Sequence, residues 1–416
     1  MIKIKTIEDV VNYQLCSGCG MCEALEPKRY KMTDVESFGY RPKIINTQEA
    51  ATGDAFNVCP GHRLEHRYNR DDPLLEKDLE DCWGPVYEVW EGYAADDNIR
   101  FKGSSGGAAT ALALFGIEQG YGKTVYHTGS DPQQPYKSES KKSTTKESLV
   151  EHAGSRYAPA SPCAPLKNIH NEKDSVIFIG KPCDVTAVAN WQNINKENKE
   201  KVAIKIGFFC AGAPSTNGNV ELLKKNGVDD LHRVEKLKFR GEGWPGMWQA
   251  LFTDTQGNKK HAELTYKESW GFLQRFRQWR CYVCPDHTAE FADIAVGDPW
   301  YKQVEEGAIG KSLIVVRTQK GLDYLRAAQE KGYVVLEKKD NDLLPRSQPN
   351  LIKARGDLWG RLLALRIFSA PVPKYTGFVF FKFWVSSLNI RAKISSLYGT
   401  MTRIGRKKLN KNQHII

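Results

Sequence analysis

Four cysteines near the start constrain this chain more than any other feature in it. Cys16-x2-Cys19-x2-Cys22 gathers three thiols into one tight loop, and a remote Cys59–Pro60 pair supplies a fourth. Gly18 and Gly20 stand between the cysteines and free the backbone to turn that sharply. The run follows the ferredoxin pattern C-x2-C-x2-C-x3-C-P except at its fourth cysteine, where Glu26–Pro27 stands instead. In two-cluster ferredoxins that cysteine serves the other cluster. The segment is therefore expected to hold one [4Fe–4S] cluster, on Cys16, Cys19, Cys22 and Cys59. Lys31 to Ile45 reads as a hairpin turning near Ser37–Phe38–Gly39, which folds Cys59 back onto the loop. A structural zinc site is the alternative, although zinc usually takes two C-x2-C knuckles.

The remaining cysteines are scattered. Met1 to Val10 lacks the apolar stretch of a secretory leader, so a cytoplasmic, reducing setting is expected. There, clustered cysteines read as metal or redox ligands rather than disulfides. Apolar, β-branched runs at Ser175–Ile179 and Val202–Phe209 predict buried strands, and Cys183 and Cys210 follow them closely. If the two strands are parallel neighbours, both thiols emerge at the carboxyl edge where α/β sheets place their sites. Cys281-x2-Cys284 adds two more sulfurs, enough for a second cluster on Cys183, Cys210, Cys281 and Cys284. Cys163 replacing one of these is a rival assignment, and Cys183 and Cys210 as buried apolar residues is another. Cys82 has no evident partner and reads as structural.

Between these cysteines, further strands are predicted at Ala292–Val296 and Ser312–Arg317. Helices are predicted at Ala108–Glu118, Val185–Trp191, Val220–Asn226 and Leu322–Lys331. The expected architecture is an α/β (α+β) flavin domain with a small N-terminal ferredoxin-like iron–sulfur domain and a basic helical tail. The divisions fall at residues 1–75, 76–345 and 346–416. The turn Lys102–Gly–Ser–Ser–Gly–Gly107 runs into the first of these helices. Its small residues let backbone N–H groups close on a phosphate at the helix N-terminus. Beside two clusters, Ser104, Ser105, Gly106 and Gly107 suit a flavin pyrophosphate, since a flavin collects single electrons in pairs. Asp298, after the strand near Val296, orients a flavin or a substrate hydroxyl, or caps its loop. Tyr157, Lys181 and His287 are candidate proton donors, and Lys181 is also a candidate cofactor contact. Trp244, Trp248, Trp270 and Trp279 read as core.

Several blocks in one order give the chain a resemblance. They are Cys16–Ser–Gly–Cys–Gly–Met–Cys22, Ser105–Gly–Gly107, Gly154–Ser–Arg–Tyr157, Gly180–Lys–Pro–Cys–Asp184, Gly207–Phe–Phe–Cys–Ala–Gly212, Gly243–Trp–Pro–Gly246, Arg280–Cys–Tyr–Val–Cys–Pro–Asp286 and Ala292–Asp–Ile–Ala–Val–Gly–Asp298. Over roughly residues 10 to 320 the chain resembles the coenzyme F420 hydrogenase/dehydrogenase beta subunit family, which also holds 7-hydroxymethyl chlorophyll a reductase. The resemblance implies FAD, [4Fe–4S] clusters and electron exchange with ferredoxin or coenzyme F420. It implies flavin contacts at Ser104–Gly107 and at Ser155, Arg156 and Tyr157. The fused ferredoxin segment and the Gly–Trp–Pro–Gly block look most like members from bacterial surface-polysaccharide gene clusters. The leading expectation is a reductase that takes electrons from ferredoxin, or from reduced F420, through clusters and FAD to a small organic substrate. The alternative is an electron-transfer subunit that oxidises or reduces F420 for a partner enzyme.

From Leu358 to Ile416 there is no acid and there are eleven basic residues, which account for the whole net charge of +11. With Phe378, Phe380, Phe381, Phe383 and Trp384 alongside, this tail suits an anionic membrane surface. Docking of an acidic ferredoxin, or a basic helix packed on the body, are the alternatives. The neutral body excludes nucleic acid as a partner. No apolar run reaches membrane-spanning length. An oligomer is compatible with the sequence.

Overall fold

The computed structural model describes residues 2–302 and 309–416. After a capped helix at Ile7–Asn12 comes the cysteine loop, then an antiparallel hairpin of β1 (Tyr30–Val35) and β2 (Gly39–Ile44), and a short β3 (Arg63–Glu65). The hairpin turns at the expected Ser37–Gly39, where Gly39 takes a φ of +77°.

The body is built on one large sheet. The chain lays down β4 (Glu88–Ala94), β5 (Thr124–Ser130), β6 (Ser138–Ser143), β7 (Val176–Gly180) and β8 (Val202–Phe208). It leaves for a separate antiparallel sheet, β9 (Val234–Lys238), β10 (Trp248–Thr253) and β11 (Lys259–Leu264). It then returns with β12 (Ile294–Gly297), β13 (Ser312–Val316) and β14 (Val334–Lys339). The large sheet runs β14-β4-β13-β12-β8-β7-β5-β6. Its centre, β12-β8-β7-β5, is parallel, and its flanks are antiparallel.

Burial on both faces explains the continuous apolar runs. Ile177 and Ile179 of β7 face one core with Ile204, Ile206, Val296 and Ile314, covered by the helices Ala108–Glu118 and Gln319–Glu330. Val176 and Phe178 face the other with Val315 and Ala295, covered by the helix Pro182–Gln192. The result is a three-layer α/β body, with the β9–β11 sheet packed on its own cluster around Trp248 and Phe252.

The C-terminal segment is packed on the molecule, not splayed from it. β15 (Lys374–Thr376) pairs in parallel with β3. The helices Pro349–Ile367 and Ile390–Lys407 bury Leu358, Leu362, Leu365 and Ile404 against Val10, Val11 and Leu15 of the N-terminal segment. Gln413 and Ile415 donate backbone N–H bonds to Asn12. The tail aromatics are mostly spent internally: Phe378 packs on His66, and Trp384 on Trp359. Of those five, only Phe381 is exposed. No described helix is long and apolar enough to cross a membrane.

Candidate functional site

The first cysteine set closes as its spacing demands. Gly18 and Gly20 take φ of +75° and +90°. A Cβ on Gly20 would stand 2.9 Å from the Ala164 backbone nitrogen, so the loop lies directly on that segment. Cys16, Cys19, Cys22 and Cys59 line one small cavity, walled otherwise by apolar side chains such as Ile7, Val10 and Met32. Glu26, where ferredoxins carry cysteine, has a different task. Its buried carboxylate accepts from Thr52 Oγ1 at 3.1 Å and from the Ala55 N–H at 3.2 Å, which fixes the segment that delivers Cys59. Burial, and then the neighbouring thiols, push Cys22 well above the usual thiol range and Cys59 up to about 12. Burial raises Cys16 as well, whereas a hydrogen bond from Cys163 lowers Cys19.

The second set forms at the carboxyl edge of the parallel strands. Cys183 sits in the first turn of the helix after β7, and Cys210 follows β8. Cys281 lies in the short helix Trp279–Tyr282 and Cys284 just after it, ahead of β12. The Gly212 and Ala213 N–H groups donate to the Cys210 and Cys281 sulfurs at 3.4 Å each, the kind of bond that tunes cluster sulfurs. Burial pushes Cys210 and Cys284 up to about 12. Cys163 belongs elsewhere. Its N–H donates to the Cys19 carbonyl at 3.0 Å and its thiol lies against Cys19, so it backs the first set and not the second. Cys82 is buried under Arg355, away from both.

Between the two sets lie two buried cations. Arg41 is 1% exposed, within electrostatic reach of Cys16, Cys281 and, more weakly, Asp34. It donates only to the Tyr40 carbonyl and Gln278 Oε1. Arg280, 3% exposed, reaches Cys183, Cys281 and Cys284 and ties this loop to the Pro60 carbonyl beside Cys59 at 2.8 Å. Neither forms an ion pair among the described residues, and the Nε of each has no acceptor. A buried, unpaired guanidinium is costly, and an anionic group beside it removes the cost. A thiolate-bound cubane is such a group, so the residues fit it. No three His, Cys, Asp or Glu side chains among the described residues close around one ion.

A cavity of about 310 Å³ adjoins the second set along the same sheet edge. Ser104, Ser105, Gly107, Ser155, Arg156, Tyr157, Lys181 and Asp298 all line it, together with Cys210. The helix Ala108–Glu118 opens there without a side-chain cap, so its first N–H groups are free for an anion. Gly106 does not line the cavity. Its N–H donates to Ser312 Oγ at 3.0 Å and its carbonyl accepts from Ala94, which pins the turn between β4 and β13. Arg156 lines the wall while its guanidinium is held by Ser138 Oγ and the Pro135 and Lys137 carbonyls. His287 lies behind Cys210, with Nδ1 2.8 Å from that residue's carbonyl oxygen, and burial lowers its pKa to about 4. It does not line the cavity that Tyr157, Lys181 and Asp298 face.

Sequence reading missed the far wall. Arg240, 5% exposed, grips Asp298 with two bonds of 2.8 and 2.9 Å and lies over Tyr266 and Trp300. Trp244 Nε1 donates to the same carboxylate at 2.9 Å, and Tyr266 and Trp300 stack with planes 6° apart. Trp248 and Trp279 are core as expected, but Trp270 lines the cavity. Lys181 ends the near wall. Burial disfavours its ammonium, but Asp184, 2.6 Å away, more than offsets this and holds its pKa above the ordinary lysine value. The Lys181–Asp184 pair lies within reach of Cys19, Cys183 and Cys210, so it sits where the cavity and both cysteine sets meet.

Family models place this arrangement. Residues 89–167 match the coenzyme F420 hydrogenase/dehydrogenase beta subunit N-terminal model, and residues 173–342 match the C-terminal one. The chain is 26% identical over 346 residues to the coenzyme F420-dependent sulfite reductase of Methanocaldococcus jannaschii, an alignment covering 80% of this chain and 48% of that protein. It thus spans about half of that relative's length. It is 27% identical over 255 residues to the coenzyme F420 hydrogenase subunit beta of Methanococcus voltae, covering 60% and 82%. A chain of the F420-reducing [NiFe] hydrogenase complex from Methanosarcina barkeri shares the fold, with a TM-score of 0.51 at 22% identity over 71% of this chain and 96% of that one.

Proposed function

Because the chain belongs to the coenzyme F420 hydrogenase/dehydrogenase beta subunit family, we propose that it is an iron–sulfur flavoprotein subunit that exchanges electrons between coenzyme F420 and a partner redox protein. The relatives favour this reading over a self-contained reductase of a small substrate in polysaccharide synthesis. The observation that carries it is the pair of buried guanidiniums, Arg41 and Arg280, that form no ion pair among the described residues and lie between two thiol sets beside one cavity.

FAD bound in the cavity would accept a hydride's two electrons and release them singly to the clusters. The chain's own residues supply the rest. The uncapped helix N-terminus with Ser104 and Ser155 holds a pyrophosphate. Tyr266, Trp270 and Trp300 offer flat faces to a ring. Arg240 and Trp244 fix the Asp298 carboxylate at the cavity wall, which orients a polar edge of a ring. Lys181, kept charged by Asp184, presents a cation at the junction. Cys210 stands at the cavity edge, so a cluster on the second set would be the nearer of the two to a flavin held there. The first set ends beneath Met32, 3.8 Å from Cys22, on a cleft edged by Lys31 and Lys167, which would face the partner.

The test is reduction of a viologen dye by reduced F420, using anaerobically reconstituted protein. Turnover that requires added FAD and is lost in Cys210→Ala supports the proposal. Cluster-loaded protein that ignores reduced F420, yet reduces an organic acceptor from ferredoxin, rejects it.

A further inference from the structure

We propose that the outward face of the helix Ile390–Lys407 docks this protein on an anionic lipid bilayer. The helix is amphipathic the wrong way round for a solvated element. Its inward face rests on small polar residues, Ser396 and Thr400, with Ile404 below them. Its outward face carries Ile390, Ile394, Tyr398 and Met401, which are 75, 60, 64 and 38% exposed. At 3.6 residues per turn these four fall within roughly 80° of arc, one continuous stripe. Phe381 and Val385, 55 and 50% exposed, extend the apolar surface on the preceding helix, which is joined to this one by Lys393 Nζ donating to the Val385 carbonyl at 2.9 Å.

Charge identifies the occupant. Arg391, Arg406, Lys408 and Lys411 are exposed, and none is in an ion pair among the described residues. No acid occurs anywhere from Leu358 onward. A second copy would set this cationic surface against itself. A flat apolar stripe rimmed by unpaired cations is complementary to acyl chains beneath anionic headgroups, with the helix lying in the interface plane. The tail is also bonded to Asn12, so docking would hold the first cysteine segment close to the membrane.

The full chain is tested by sedimentation with vesicles of phosphatidylcholine alone and of equal parts phosphatidylcholine and phosphatidylglycerol. Binding is expected to the anionic vesicles only, to fall with added salt, and to weaken about tenfold or more in Ile390→Asp/Ile394→Asp. Both positions are exposed, so unchanged circular dichroism confirms folding of the variant. Absence of sedimentation, or full binding by the double variant, overturns the proposal. So does a dimer in light scattering that the double variant converts to monomer.

Discussion

Arg41 shows how one side chain registers what surrounds it. With no carboxylate partner and a free Nε, it is out of place in a neutral protein interior and well placed beside an anionic cluster. Arg41→Met is therefore expected to lower a cluster midpoint potential by on the order of tens of millivolts, because a nearby cation favours the reduced, more negative state. Spectroelectrochemistry on iron-replete protein checks this, and an unshifted potential contradicts it. His127 gives a second residue-scale outcome. Burial beneath the cavity lowers its pKa to about 4, with Ser143 Oγ 2.8 Å from Nε2. The unfolded chain binds this proton near pH 6.5 and the folded one only near 4, so stability rises with pH across that window. Acidification from pH 7 through 4 is expected to remove on the order of 3 kcal/mol through this group. Denaturant midpoints should fall less steeply with acid in His127→Gln, and identical slopes would assign the loss to other groups.

Elements rather than single residues bring distant cysteines together. Parallel pairing of β7 with β8 places Cys183 and Cys210 at one edge, and the β1–β2 hairpin returns the chain toward Cys59. Both were legible in the sequence, because apolar runs ending next to cysteine, and a Gly-containing turn, are local patterns. The cavity's far wall was not. Arg240, Tyr266 and Trp300 come from the β9–β11 excursion and the loop after β12, and only tertiary packing joins them. Gly106 was read as a phosphate contact, but its backbone is spent on β4 and β13, which no local pattern reveals. The tail's aromatics were read as lipid-facing for the same reason, since their partners His66 and Trp359 lie far off in sequence. The loop of the first set has no slack. Gly20→Ala would strain a φ of +90° and meet Ala164, at a cost of about 1–3 kcal/mol or more. Half the iron is expected to be lost from this variant, with the second set still filled. Full iron content would show that the loop yields.

At the scale of the whole molecule, the carboxyl edge of the parallel strands is the working surface. Around it the cavity, the second cysteine set and the first meet at Lys181–Asp184, and the C-terminal helices seal the N-terminal cysteine segment onto the body. The proposed function has electrons cross this edge. The most direct measurement is a stoichiometric titration of anaerobic, FAD-reconstituted protein with reduced F420, followed by paramagnetic resonance and iron analysis. The expected result is about eight iron atoms per chain, falling to about four in Cys281→Ala, with cluster signals rising as F420 is consumed. Protein that binds zinc in place of iron, or keeps full iron in Cys281→Ala, or shows no cluster reduction by reduced F420, would contradict it.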